Sequence, residues 1–103
     1  MSRPPAYARR TDDNHAEIRD ALRQIPGVYC QDVSAAGGLG FDLLCNFRGG
    51  PPVFLEVKRP INPEPLSESE RRARDHWGAY WHEIRTLDEA LAALGVVDIQ
   101  EAQ

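Results

Sequence analysis

Asp42, Glu56 and Lys58 are the residues of this chain whose types and spacing suit chemistry. Glu56 and Lys58 stand two apart in Val53-Phe54-Leu55-Glu56-Val57-Lys58, a run that reads as a strand. Alternation then puts Phe54, Glu56 and Lys58 on one face and Val53, Leu55 and Val57 on the other. A carboxylate and an ammonium held side by side on a rigid strand suit metal-assisted hydrolysis. Lys58 is also the single lysine of a chain with eleven arginines, which sets it apart from solvated surface lysines. The bland counterpart is a strand-surface ion pair worth about 0–1 kcal/mol.

Asp42 lies on the preceding strand, Phe41 to Phe47, where Phe41, Leu43, Cys45 and Phe47 alternate with Asp42, Leu44 and Asn46. A turn over Arg48 to Pro52 makes the two strands a hairpin, with Asp42 near the level of Glu56 or Lys58. Opposed residues of an antiparallel pair point to the same side. An odd-length loop such as Gly49-Gly50-Pro51 therefore puts Asp42 opposite Lys58 on the same face. A two-residue turn would need a bulge.

The other elements must position this hairpin. Residues 13–25 read as a helix with the stripe Ile18, Ala21, Leu22 and Ile25, capped by Asp13 or Asn14 and ended by Pro26-Gly27. Glu17, at the edge of the stripe, either closes an Asn14-x-x-Glu17 capping box or leans over the sheet as a third carboxylate. Residues 28–33 form a short strand. The small-residue loop Ala35 to Gly40 feeds the Asp42 strand and matches no phosphate-loop pattern, because no Lys-Ser/Thr and no helix follow it. Prolines 60, 63 and 65 stiffen a connector. Ser67-Glu68-Ser69-Glu70 opens a second helix as a capping box, Arg71, Arg72 and Arg74 take its outer turns, Ala73 and Trp77 its inner face, and Gly78 ends it. Tyr80 to Arg85 reads as a fourth strand, with Tyr80, His82 and Ile84 on one side; a lone strand histidine such as His82 is structural more often than a base. Thr86-Leu87-Asp88-Glu89 caps a last helix with the stripe Leu87, Ala90, Leu91 and Leu94, closed by Gly95. The order αβββαβα predicts an α/β (α+β) fold, a mixed β-sheet flanked by helices.

At 103 residues the chain has room for one domain. The expected organisation is a Pro/Arg-rich arm over 1–12, a folded domain over 13–95 and a loose tail over 96–103. No apolar run reaches the ~18 residues of a membrane span and the start lacks an apolar signal core, so no membrane is expected and the cytoplasm is. Cys30 and Cys45 fit neither a zinc cluster nor a C-x-x-C motif and read as reduced buried thiols. A net charge of −4 argues against broad nucleic-acid binding. Local binding remains open through clustered cations: Arg9 and Arg10 in the arm, Arg59, and Arg71, Arg72 and Arg74.

Glu17 on the first helix, the Gly40-Phe41-Asp42 strand start and Glu56-Val57-Lys58 on the next strand resemble the PD-(D/E)XK nuclease superfamily. The chain is similar in particular to its small stand-alone VRR-NUC members of phages and bacteria, with Leu66-Ser67 and Thr86-Leu87-Asp88-Glu89 at the expected helix starts. The resemblance spans residues 13–95, with Phe41 where proline is usual and Glu70 where glutamine is common. It implies a restriction-endonuclease-like fold and a metal-dependent DNA endonuclease in a bacterial or phage-infected cell. Asp42, Glu56, the Val57 carbonyl and Glu17 would hold Mg²⁺ or Mn²⁺, and Lys58 would orient or deprotonate the attacking water. It further implies branched DNA such as a Holliday junction as a substrate, and with it a homodimer. The competing expectation is a catalytically weak binding module of the same fold, docked on a DNA-processing partner. An enzyme of small phosphorylated substrates lacks a nucleotide motif.

Overall fold

The computed structural model describes residues 13–96. Arg9, Arg10 and the arm over 1–12 lie outside the described residues, as does the tail from residue 97. The element order is α1 (Asp13–Arg23), β1 (Val28–Asp32), β2 (Leu43–Phe47), β3 (Val53–Val57), α2 (Glu68–Trp77), β4 (Trp81–Ile84) and α3 (Leu87–Leu94), with short 3-10 turns at Ser34–Ala36 and Gly78–Tyr80. This is the expected αβββαβα order. The strands lie side by side as β1-β2-β3-β4: β1, β2 and β3 pair antiparallel, and β4 returns parallel to β3 after the α2 crossover.

Strand alternation divides the core as read from the sequence. Val53, Leu55 and Val57 join Leu43, Cys45, Ile18, Leu22, Ile84, Ala90 and Leu94 in the larger cluster, formed where α1 and α3 cover one face. Each fully buried leucine there contributes about 1.5–3 kcal/mol, so this side carries most of the apolar stabilisation. The opposite face holds a small cluster, Phe54, Ala73 and Trp81, with Phe41, Leu44 and Leu66 packed against it. Val96, expected in the loose tail, is buried in the larger cluster, so the core runs past Gly95.

Leu43↔Leu55 and Cys45↔Val53 are register partners, which leaves an odd number of residues between the paired ends and keeps Asp42 on the Glu56 face. The register ends at Leu43: the Asp42 amide bonds to the Leu55 carbonyl, one residue out of step, and Asp42 shares a cavity with Glu56 rather than standing opposite Lys58. The regular strand begins only at Leu43. Phe41 consequently escapes the alternation and packs with Leu44 on the α2 side. Gly40 causes the departure. Its φ is +87°, and a Cβ there would collide with the Ser69 carbonyl oxygen and the Ala73 Cβ. The glycine-rich loop thus lies directly against α2, and the Gly40 carbonyl accepts a 2.8 Å hydrogen bond from Trp81 Nε1.

Helix starts follow their sequence signals in two cases of three. On α2, Ser67 Oγ accepts from the Glu70 amide (3.2 Å) and Glu70 Oε1 accepts from the Ser67 amide (2.9 Å), the complete capping box. On α3, Thr86 Oγ1 accepts from the Glu89 amide, while Glu89 reaches back to the Arg85 amide. On α1 the Asn14-x-x-Glu17 box does not form. Asn14 sits inside the helix, and its side-chain amide donates to the carbonyls of Lys58 (2.8 Å) and Arg85 (3.2 Å). It ties α1 to the chain just beyond β3 and β4.

Candidate functional site

Asp42, Glu56, Lys58 and Glu70 meet at the C-terminal end of β3, under the N-terminus of α2. Glu56 and Lys58 are only 6% and 8% exposed, despite lying at a strand end. Lys58 Nζ sits 2.9 Å from Glu70 Oε1 and 3.6 Å from Glu56 Oε2. Asp42 approaches from β2. Its amide donates to the Leu55 carbonyl, and its own Oδ2 accepts from the Val57 amide at 2.9 Å. The carboxylate thus takes the place of the carbonyl that would otherwise continue the ladder. A cavity of about 110 Å³ opens over these groups, lined by Gly40, Asp42, Glu56, Ser69 and Glu70 among others.

The electrostatics are uneven. Burial, then the nearby Asp42 and Glu70 charges, push the Glu56 carboxyl up to about 9. Burial also raises Asp42, opposed by the Val57 hydrogen bond and by His15. Burial acts to lower Lys58, but its hydrogen bond to Glu70 and the charge of Glu56 prevail and hold the ammonium above its ordinary value. Glu70 comes out lowered: burial opposes its charge, and the Ser67 amide, Lys58 and Glu56 outweigh burial. At neutral pH the set therefore holds a cationic Lys58, an ionised Glu70 and a Glu56 that keeps its proton beside Asp42.

Other residues singled out from the sequence fall elsewhere. Glu17 is exposed on α1, and no hydrogen bond among the described residues joins it to Asp42 or Glu56. Besides the apolar Ile18 and Leu22, α1 turns Asn14 and the buried His15 toward the sheet. Arg71 donates to the Leu66 carbonyl, Arg72 pairs with Glu68, Arg74 with Asp75, and Arg59 lies 3.7 Å from Glu64; all four pairings are at the surface. Cys30 and Cys45 are free, buried and directly opposed across β1 and β2. Trp77 is 38% exposed, with its ring 4.5 Å from that of Phe54, and so sits at the rim rather than in the core.

Glu70 is the site residue whose contact with Lys58 the sequence did not reveal: it read as a helix cap and, in the family resemblance, as the place of a common glutamine. Its local signal, Ser67-x-x-Glu70, accounts for the cap and is silent about Lys58. The same oxygen serves both, because the proline-rich connector folds the start of α2 over the end of β3.

Among the described residues, no three histidine, cysteine or carboxylate side chains stand close enough to ligate one ion. Two carboxylates do suffice for a hard cation that keeps water and substrate phosphate as its other ligands. Asp42 and Glu56 line one open cavity and can supply such a pair, with Glu56 giving up its proton as a cation binds. No helix among the described residues is long and apolar enough to cross a membrane. No protein-family model, curated protein or solved structure matches the chain.

Proposed function

We propose that the chain is a metal-dependent DNA endonuclease of the PD-(D/E)XK type, with Asp42, Glu56 and Lys58 as its working set. The observation that carries this reading is that the buried Glu56 and the half-buried Asp42 share one open cavity, beside a lysine that stays cationic. The αβββαβα order and the parallel return of β4 beside β3 support it.

Asp42 and Glu56 would hold Mg²⁺ or Mn²⁺, with the Val57 carbonyl as a further oxygen. When bound, the ion supplies Lewis-acid polarisation of the scissile phosphate and a more acidic water. Lys58 stays protonated, so its role is to orient the attacking water and stabilise negative charge developing on the phosphoryl oxygens. Removing the water's proton falls to another group. Glu70 positions Lys58 and does so rigidly, because the capping box immobilises its carboxylate. The four surface arginines lie outside the site and would meet the DNA backbone only by exchanging their present carboxylate or carbonyl partners. Branched DNA needs two cuts, so a junction-cleaving version of this proposal requires a homodimer.

A second reading is a nuclease-fold binding module. One observation favours it: Lys58 is already engaged by two carboxylates, so its ammonium is paired without substrate.

Cleavage of labelled linear, flap and four-way junction DNA with Mg²⁺ or Mn²⁺ separates the two. The nuclease reading expects cutting that a chelator stops and that Glu56→Gln and Lys58→Ala each reduce at least about 10³-fold. A folded, metal-supplied wild type that cuts none of these substrates overturns it in favour of the binding module.

A further inference from the structure

A second, larger cleft adjoins the carboxylate cavity. It measures about 550 Å³ and is lined by Gly38, Leu39, Ser69, Arg72, His76 and Trp77, with Ala73 and Asp75 completing it. Gly38, Leu39 and Ser69 line both spaces, so the cleft opens directly off the cavity that holds Asp42 and Glu56. Its size lies within the roughly 300–1,000 Å³ of small-molecule sites.

The lining is chemically mixed in a particular way. Trp77 and Leu39 supply apolar surface and are 38% and 44% exposed. The Trp77 ring is braced by Phe54 at 4.5 Å and by His76, edge-on at 4.7 Å, so the indole is presented rather than loose. Arg72 adds a guanidinium paired at 3.0 Å with the exposed Glu68 on the same helix. Gly37 and Gly38 have nothing within 4 Å of where a Cβ would stand, which leaves the loop side of the cleft clear.

A braced aromatic face, an exposed guanidinium and a carboxylate cavity next door match one nucleotide of a polynucleotide strand: base, neighbouring phosphate, scissile phosphate. We infer that this cleft is a nucleobase subsite, in which the base flanking the scissile phosphate stacks on Trp77 while Arg72 meets its phosphate. The inference rests on the proposed nuclease reading and specifies its substrate class. A base can enter such a cleft only when unstacked from its own strand, so the preferred DNA is unpaired beside the cut rather than continuous duplex.

The test uses the full chain in chelator, where nothing is cut, and takes affinities from the anisotropy of a fluorescein-labelled 12-nucleotide oligothymidylate, with the wild-type tryptophan fluorescence followed alongside. The base-bearing strand should quench the fluorescence, and the same strand made of abasic nucleotides should bind about 5- to 100-fold more weakly. Trp77→Ala should lose the same factor and Trp77→Phe should recover most of it. Arg72→Ala should cost less and flatten the salt dependence. The abasic comparison uses unaltered protein and so survives any instability of Trp77→Ala. Equal affinity for the two strands, unchanged binding by a folded Trp77→Ala, or no binding of either strand overturns the subsite and leaves the nuclease reading to its own cleavage assay. Base-dependent binding without metal-dependent cutting retires the nuclease reading and leaves the cleft as a nucleobase site.

Discussion

Asp32 and Glu56 are carboxylates at the ends of β1 and β3, the two strands that flank β2, yet their surroundings treat them in opposite ways. Asp32 accepts from the Ser34 amide (3.0 Å), Ser34 Oγ (2.6 Å) and Arg19 Nη1 (3.0 Å), and shares a 3.1 Å hydrogen bond with His15 Nε2. Burial opposes its charge, but Ser34, Arg19 and His15 prevail and hold the carboxyl well below the ordinary range. Glu56 has Lys58 at 3.6 Å and otherwise meets the carboxylates of Asp42 and Glu70, and it is pushed the other way. A carboxylate surrounded by donors serves the fold. One denied them costs stability, and in the proposed nuclease reading that cost is borne at the metal site.

Exchanging each carboxylate for its amide should separate the two roles most strongly. Glu56→Gln should abolish metal-dependent cleavage while the protein stays folded. Asp32→Asn should keep cleavage while folded and lose about 2–4 kcal/mol of stability by chemical denaturation, since each hydrogen bond to a charged group contributes about 1.5–3 kcal/mol. If Asp32→Asn instead stopped cleavage without loss of stability, the division of labour would be wrong.

Acidity sharpens the contrast. Glu56 holds its proton more tightly folded than unfolded, so folding takes up a proton between about 4.3 and about 9. Stability from this group therefore falls as pH rises through that window. Asp32 holds its proton less tightly when folded, so its contribution is complete above about 4 and is lost as pH falls below that value. Denaturation of wild type in chelator should show a loss on the order of 1–3 kcal/mol between pH 5 and 9, largely removed by Glu56→Gln. Divalent metal should restore stability, and more at pH 8 than at pH 5. A flat profile with metal-insensitive melting would mean that Glu56 is compensated after all.

The smallest effect concerns the tie between the regions. Asn14→Ala removes two hydrogen bonds to strand-end carbonyls and should cost about 1–2 kcal/mol. It should slow cleavage less than Lys58→Ala does, because the lysine would remain present with a less fixed backbone.

How far the sequence disclosed all this follows from the range of each interaction. Strand alternation at Phe54-Glu56-Lys58, the Ser67 and Thr86 helix starts and the odd hairpin connection are local, and their outcomes match the reading. Asn14 misled because its cap-like spacing with Glu17 is local, whereas its actual acceptors, Lys58 and Arg85, are distant in sequence. Glu70 was half visible: its bond to Ser67 is three residues long, its bond to Lys58 twelve. His15 and Asp32 carry no joint motif, so their pairing emerges only once α1 lies on the sheet. The bend at Gly40, which moves Phe41 to the other face, depends on the approach of α2 and has no signature among its neighbours.

Lys58 is the only lysine in the chain, and it stands in the candidate site. The protein thus carries its own spectroscopic label. Feeding nitrogen-15 lysine during expression gives a single side-chain amine resonance, with no assignment problem and no reporter to engineer. Metal, oligonucleotide and proton can each be titrated against that one signal, at the atom where their effects on the site would converge.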